Sequence, residues 1–304
     1  MAFTAKDVQA LRERTGVGMM DCKKALTEAD GDMEKAVDLL REKGLAAAAK
    51  KASRIAAEGM VYAGVDNRVG VVVEVNSETD FVAKNPDFQS FVKAVADVIA
   101  AKNPATVEEL LELPLGNAKV IDALRDKVLV IGENLTIRRF VRYEGDCVAY
   151  VHGGGRIGVL VKFDADAAAS GSAALQECGK DVAMQIAALG ALYLDKSTVP
   201  AADVEKEKEI IAAQIENDPK TSGKPEAVVA KMIDGRIGKF YENNCLLQQA
   251  FVKNGDITVA QYIDEKSKEA GGRIAVAAFT RFEKGEGLQK REDNFADEVA
   301  GMMK

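Results

Sequence analysis

Asp80 and Phe81 put a carboxylate and an aromatic ring side by side in the stretch Asn76-Ser77-Glu78-Thr79-Asp80-Phe81-Val82-Ala83-Lys84-Asn85-Pro86, directly after the apolar, strand-like segment 71–75. An aromatic ring on a polar turn asks for a burial site, either on its own core or on a partner. Asn85-Pro86 has the chemistry of an N-cap followed by a first helical residue. The Asn oxygen can accept an orphan amide, and proline's fixed φ and missing N–H suit that place. A helix is therefore expected from Pro86, which leaves 79–84 as a short connector. Ser77 and Asp80 have capping-box spacing, so one compact helical turn is expected to hold Phe81 outward, flanked by Thr79, Asp80 and Val82.

Other residue patterns promise chemistry but lack its context. Gly153, Gly155 and Gly158 satisfy the spacing of the dinucleotide-binding fingerprint. That fingerprint needs a helix after the glycines to aim its dipole at a pyrophosphate, whereas 159–163 reads as a strand. The glycines are expected to form a hairpin turn. The chain has no phosphate loop of the Gly-x-x-x-x-Gly-Lys-Ser/Thr type, and His152, its single histidine, has no neighbouring histidine or cysteine for metal ligation. Cys22, Cys147, Cys178 and Cys245 lie far apart, which argues for reduced packing residues rather than a disulfide framework or a thiolate zinc site. One histidine and no nucleophile elbow give acyl transfer no support. No enzyme activity, cofactor or metal is expected.

Composition bounds the class. The 304 residues suit two or three domains, and 47% apolar residues suffice for their cores. A net charge of −7 with both signs intermixed weakens attraction to a nucleic-acid backbone, so no nucleic-acid partner is expected. No apolar run reaches the length of a membrane span, and the N-terminus lacks a signal peptide's charge and apolar block. A cytoplasmic protein with no membrane partner is expected.

The elements that must position the turn follow from periodicity. Residues 4–44 read as three short helices, with Val8 and Leu11, then Met20, Ala25 and Leu26, then Met33, Val37 and Leu40 at helical spacing. Gly16-Val17-Gly18 and Asp30-Gly31-Asp32 break them. Met19 and Met20 follow the glycine turn, where a flexible thioether can serve an adaptable contact surface or fill a core. This module is similar to the ubiquitin-associated type of three-helix domain. The alanine-rich basic stretch 46–54 reads as a solvated helical tether, closing a first unit at 1–52.

From Met60 the period becomes that of strands: a hairpin of 61–65 and 69–75 around Asp66-Asn67, a helix over 86–101, a helix after Pro114 that ends at Ile131-Gly132, and a strand over 135–143. A second hairpin, 147–151 with 157–163, precedes a helix over about 175–192. The two units look duplicated, since Gly-Val-Val-Val-Glu-Val at 70–75 aligns with Gly-Val-Leu-Val-Lys-Phe at 158–163, and 93–101 aligns with 180–188. Where the first copy has 79–84, the second has Asp166-Ala167-Ala168-Ala169-Ser170-Gly171, so the shared fold does not require Phe81. That comparison favours a functional ring.

Residues 200–245 read as an antiparallel helical hairpin with a narrow stripe of Val204, Ile211 and Ile215 facing Val229, Ile233, Ile237 and Phe240. It interrupts the second unit, which resumes with a helix over 259–269 and a strand over 274–282. Phe295, Val299, Met302 and Met303 stripe a last amphipathic helix, to dock on a partner or on the chain's own core. The expected class is thus α+β: an N-terminal three-helix module and tether (1–52), a duplicated core of antiparallel hairpins with packed helices (53–140; 141–199 with 246–283), an inserted helical hairpin (200–245) and a C-terminal helix (284–304).

These residues carry a resemblance. Thr15-Gly16-Val17-Gly18-Met19-Met20-Asp21-Cys22-Lys23-Lys24-Ala25-Leu26, the stretch 79–85, Ile131-Gly132-Glu133-Asn134 with Ile137-Arg138-Arg139, and His152-Gly153 with Arg156-Ile157-Gly158-Val159-Leu160-Val161 resemble, in order, the motifs of the bacterial-type translation elongation factor Ts family. The resemblance covers nearly the whole chain. It implies a guanine-nucleotide exchange factor for elongation factor Tu, whose Asp80-Phe81 turn, with Thr79 and Val82, wedges in near the partner's magnesium site and promotes release of GDP. It further implies that Arg12, Met19, Met20 and Lys23 touch the partner's nucleotide domain, that Ile131, Gly132 and His152 belong to a core contact surface, and that the terminal helix docks there too. Val252-Lys253 departs from the two apolar residues that similar proteins can carry, so no contact is assigned there. A dinucleotide-dependent enzyme using the Gly153–Gly158 turn and a binder of ubiquitin-like domains are the competing readings. Self-association, including through the helical hairpin, stays open.

Overall fold

The computed structural model describes residues 3–289. Its first three helices are α1 (Ala5–Thr15), α2 (Met19–Glu28) and α3 (Met33–Lys51). They close over Val8, Leu11, Cys22, Ala25, Leu26 and Leu40. Asp32 caps α3 by accepting the amides of Glu34 and Lys35. Met20 stays out of this core, contrary to what its spacing suggests. With α2 starting at Met19 after the Gly18 N-cap, the inward stripe falls on Cys22, Ala25 and Leu26, and Met20 faces solvent.

The tether is helical, as expected, but one face of it is not solvated. α3 runs unbroken to Lys51 and lies against α7 (Val120–Ile131). The helices cross closely at Gly44, where a Cβ would sit in ordinary contact with the Leu129 side chain at 3.7 Å and the Arg125 carbonyl at 3.8 Å. Ala48 packs on the first sheet's core, and Leu129 on the N-terminal one. Small side chains signal little apolar surface in sequence, yet they are what a close helix crossing needs.

The remaining elements of the first copy are β1 (Glu58–Asp66), β2 (Val69–Ser77), α4 (Asp80–Ala83), α5 (Pro86–Lys102), α6 (Val107–Glu112), β3 (Pro114–Leu115), β4 (Ala118–Lys119) and β5 (Thr136–Glu144). The second copy comprises β6 (Asp146–His152), β7 (Ile157–Ala165), α8 (Ala173–Leu189), β8 (Ala250–Phe251), β9 (Asn254–Thr258), α11 (Val259–Ala270) and β10 (Ile274–Glu283), interrupted by α9 (Ala201–Asn217) and α10 (Glu226–Asn244). The sheets run β1-β2-β5 and β6-β7-β10, all antiparallel. The duplication extends beyond the hairpins. Each copy places a tiny two-stranded ribbon, β3-β4 or β8-β9, before the helix that leads into its third strand. Each third strand also bulges at one residue, Arg138 in β5 and Ala277 in β10, which lie 139 positions apart, as do the helix-ending glycines Gly132 and Gly271.

Strand alternation makes four layers. Val71, Val73 and Val75 face α5 and α7, and Val159, Val161 and Phe163 face α8 and α11. Between the sheets, Val61, Val72, Cys147, Leu160 and Phe282 form a separate small core. Gly70 and Gly158, 88 positions apart, permit this back-to-back approach reciprocally. A Cβ on Gly70 would strike Leu160 at 2.6 Å, and one on Gly158 would strike Val61 at 2.4 Å.

Three boundaries differ from expectation. The first hairpin turns at Asn67-Arg68, both with positive φ, and Asp66 pairs with Val69. A two-residue loop of that hand matches strand twist, and here an arginine accepts the second left-handed position usually given to glycine. The helix expected directly after Pro114 begins at Val120, because β3 and β4 intervene; α6 carries too little periodicity to be anticipated. α8 stops at Leu189, with Gly190 left-handed behind it, instead of continuing to Leu192.

The helical hairpin has its own small cluster of Ile211, Ile215 and Ile237. At its base Tyr193 donates its hydroxyl to Asp203 and packs against Phe240, and the amides of Leu192 and Tyr193 reach the Asn244 carbonyl. The expected terminal helix, with Phe295, Val299, Met302 and Met303, lies outside the described residues.

Candidate functional site

Ser77 ends β2 fully buried, and the chain then turns outward. The capping box anticipated between Ser77 and Asp80 is not formed: Thr79 is the N-cap of α4, and the Ser77 hydroxyl donates instead to the Thr79 carbonyl at 2.8 Å. Asp80 pairs with Lys84 at 3.0 Å across one turn. The hydrogen bond from Lys84 holds the Asp80 carboxyl below the usual carboxylate range. Asn85 caps α5 by accepting the Asp87 amide at 2.8 Å, with Pro86 in the first turn, as the sequence indicates.

The single turn of α4 separates its side chains cleanly. Phe81 is 77% exposed, more than any other large apolar side chain among the described residues, while Val82 is 6% exposed and packs into the first core. Val82 is therefore an anchor, and its side chain does not share Phe81's outward face. Lys84 Nζ lies 5.7 Å from the Phe81 ring centroid. An exposed ring on a fixed turn gains nothing from its own core.

Two carboxylates brace the turn. Glu133 accepts the amides of Glu78 and Thr79 at 3.0 Å each and the Thr79 hydroxyl at 2.6 Å. Glu78 in turn accepts the Asn134 amide at 2.7 Å and faces Arg54 at 3.4 Å. These partners come from the segment after α7, so Ile131 and Gly132 lie beside the turn's bracing. Ile131 is half-buried against the first core and Gly132 is exposed. Glu133 stands within the Ile131-Gly132-Glu133-Asn134 motif, but nothing in the sequence assigns it the role of a brace. Its place directly after the helix-ending Gly132 becomes meaningful only once α7 ends beside the exit of β2.

The second copy contributes the opposite wall. Gly153, Gly154 and Gly155 adopt positive φ in the turn between β6 and β7, and Gly155 accepts the Val61 amide at 2.8 Å. A cleft of about 290 Å³ between Asp80, Lys84, Gly153, Arg156 and Lys284 separates this turn from α4. Lys284 pairs with Glu58 there. His152 is exposed at the end of β6, its Nδ1 3.0 Å from the Tyr150 hydroxyl. No helix follows the glycines, and Gly158 is a sheet-packing residue, which removes the basis for a dinucleotide site. Among the described residues no cluster of three His, Cys, Asp or Glu could hold a metal ion, and no helix is long and apolar enough to cross a membrane.

Arg12, Met19, Met20 and Lys23 are all exposed, with Met19 at 51% and Met20 at 64%. They belong to α1 and α2 of the N-terminal module and lie off its packed stripe. Neither thioether fills the module's core.

One further buried charge ties the two copies together. Glu74 is 0% exposed on the inter-sheet face of β2, and it bridges Arg138 at 3.1 Å and Arg139 at 2.6 Å, accepts the Gly285 amide at 2.8 Å and accepts the Asn76 amide group at 3.0 Å. Burial pushes its carboxyl up, but the Gly285 and Asn76 donors and Arg139 outweigh it and hold the group below its ordinary 4.5.

Fold and site together define a duplicated α+β protein that carries a braced, outward aromatic turn on its first copy. A family model described as elongation factor TS matches residues 78–286. Elongation factor Ts of Clostridium botulinum (strain Eklund 17B / Type B) is 52% identical over 304 residues, spanning 98% of both chains. That of Clostridium perfringens (strain 13 / Type A) is 53% identical over 306 residues and 99% of both, and that of Clostridium kluyveri (strain NBRC 12016) 51% identical over 305 residues, 98% of this chain and 97% of that one. The chain belongs to the elongation factor Ts family.

Proposed function

We propose that the chain binds elongation factor Tu in its GDP state and accelerates release of GDP by wedging the Asp80-Phe81 turn beside the partner's magnesium and phosphate site. The observation that carries this reading is the exposure of Phe81 on a turn whose other apolar residues, Val82 and Ala83, are buried. A factor shifts the partner toward its nucleotide-free state only by the difference between its affinities for the two states. Phe81 supplies such a difference if its ring is buried only in the distorted partner. Asp80, ionised and exposed beside Lys84, competes in the electrostatics around the metal without the factor binding nucleotide itself.

The supporting surfaces are Arg12, Met19, Met20 and Lys23 for the partner's nucleotide domain, and Ile131, Gly132 and His152 for a core contact. Thr79 and Val82 act from behind the wedge, through the brace and the anchor. Stopped-flow release of a fluorescent GDP from purified elongation factor Tu, with and without the chain, tests the reading: acceleration supports it, and an unchanged release rate at saturating chain refutes it.

A further inference from the structure

We infer that Glu133 is the positioning residue of the wedge, clasping the Asp80-Phe81 turn to the end of α7; this rests on the exchange reading above. A four-residue helix is too short to fix its own direction, and the Thr79 side chain makes no capping bond to α4. Its entry is held from outside. The Glu133 carboxylate takes the Glu78 amide, the Thr79 amide and the Thr79 hydroxyl, three bonds on the two residues before Asp80. Hydrogen bonds to a carboxylate are short and directional, which suits them to aiming a turn.

Comparison of the two copies separates this clasp from the common fold. Glu78 accepts the Asn134 amide, and Asp166, which the sequence alignment sets opposite Thr79 but the strand offset of 88 sets opposite Glu78, accepts the amide of Arg273 at 2.9 Å, 139 positions beyond Asn134. That bond occurs in both copies, so it belongs to the fold. Glu133 shifted by the same 139 positions is Gly272, which has no side chain to clasp with. A Cβ there would meet Asp166, Ala168 and Ala169 at 3.3 Å, so the second turn instead folds down onto the glycine. Ala169 is fully buried and that turn presents no ring. The clasp is found in the copy that carries the ring and grips only the ring's turn. Because Glu133 follows Ile131 and Gly132, it also makes the wedge and the proposed core contact one rigid surface.

The experiment uses full-length Glu133→Ala, Glu133→Gln, Phe81→Ala and the Glu133→Ala/Phe81→Ala double variant. GDP release from elongation factor Tu is followed over a range of factor concentrations, so that maximal rate and half-saturating concentration are read separately. Hydrogen exchange of the Glu78 and Thr79 amides is read on the free proteins. Glu133→Ala should lose amide protection at both positions and lower the maximal rate about tenfold, with half-saturation moving less than about threefold, since misaiming a contact acts on the step after binding. Glu133→Gln should recover most of the rate, because its amide oxygen can accept at the same place. The double variant should be no slower than Phe81→Ala alone. Rate losses that multiply in the double variant, or a shift in half-saturation alone, would overturn the positioning role. If Phe81→Ala slows release and Glu133→Ala does not, the clasp falls and the wedge stands; if Phe81→Ala is itself inert, the wedge falls and takes the clasp with it.

Discussion

The carboxylate of Glu78 lies 2.7 Å from the amide nitrogen of Asn134, and this bond is repeated between Asp166 and Arg273 in the second copy. It joins the end of a hairpin strand to the start of the third strand in each half. The Thr79 clasp and the Phe81 ring sit next to it in the first half alone. Two neighbouring glutamates, Glu78 and Glu133, thus serve different ends: one closes a fold unit, the other aims a surface.

Glu78→Ala and Asp166→Ala should accordingly both weaken the fold. Each leaves a backbone amide without its acceptor, which costs about 1–3 kcal/mol where that amide is shielded from water. Chemical denaturation measures this. The larger loss is expected for Glu78→Ala, whose Asn134 bond is part-buried, and a smaller one for Asp166→Ala, whose Arg273 bond is exposed; an unchanged stability of Glu78→Ala would contradict its role in closing the fold unit.

Glu74 predicts a pH dependence. Its folded pKa is depressed, so its contribution is present above the ordinary value of 4.5 and is lost as the pH falls through the lower folded value. Glu74→Gln should flatten the stability profile below about pH 4.5, where the wild type's stability falls with acid. At neutral pH, removing one partner of this buried cluster should cost about 3–5 kcal/mol, because Arg138 and Arg139 keep their charge. Urea titrations from about pH 3 to about pH 7 check both parts. A Glu74→Gln profile parallel to the wild type's would contradict the assignment.

What is legible in the sequence is what local chemistry encodes. Asn85-Pro86 marks a helix start because its cap lies two residues away, and the recurrence of Gly70 at Gly158 exposes the duplication because both glycines meet the same inter-sheet constraint. Long-range pairs leave no local trace. Glu74 sits in a valine run, and nothing nearby reveals that its partners lie 64 and 211 positions away. Glu133 belongs to a recognisable motif, yet its role is illegible there, since the amides it holds are 54 and 55 positions earlier. Ala48 reads as solvated because the surface it docks on belongs to another part of the chain. Phe81 stands out through its polar setting, although the way its turn is held does not.

The helical hairpin should behave as a satellite. Its apolar contacts are largely internal, through Ile211, Ile215 and Ile237, and its base is tied by Tyr193, Asp203 and Asn244. Replacing 205–239 with a short flexible linker should leave the rest folded, with hydrogen-exchange protection of β2 and β7 retained. Loss of protection in those strands would show that the hairpin supports the second copy.

The wedge stands or falls with Phe81→Ala. The ring supports no core, so folding stability should change by less than about 1 kcal/mol. Burial of an aromatic at a contact site commonly carries about 2 kcal/mol or more, so the same substitution should slow GDP release from elongation factor Tu roughly thirtyfold. Asp80→Ala should act alike, with a double variant less than additive. The deciding measurement pairs thermal unfolding with stopped-flow GDP release on one preparation of Phe81→Ala. An unchanged melting temperature with strongly impaired release is the predicted result; a large drop in melting temperature with unimpaired release per folded molecule would contradict the wedge.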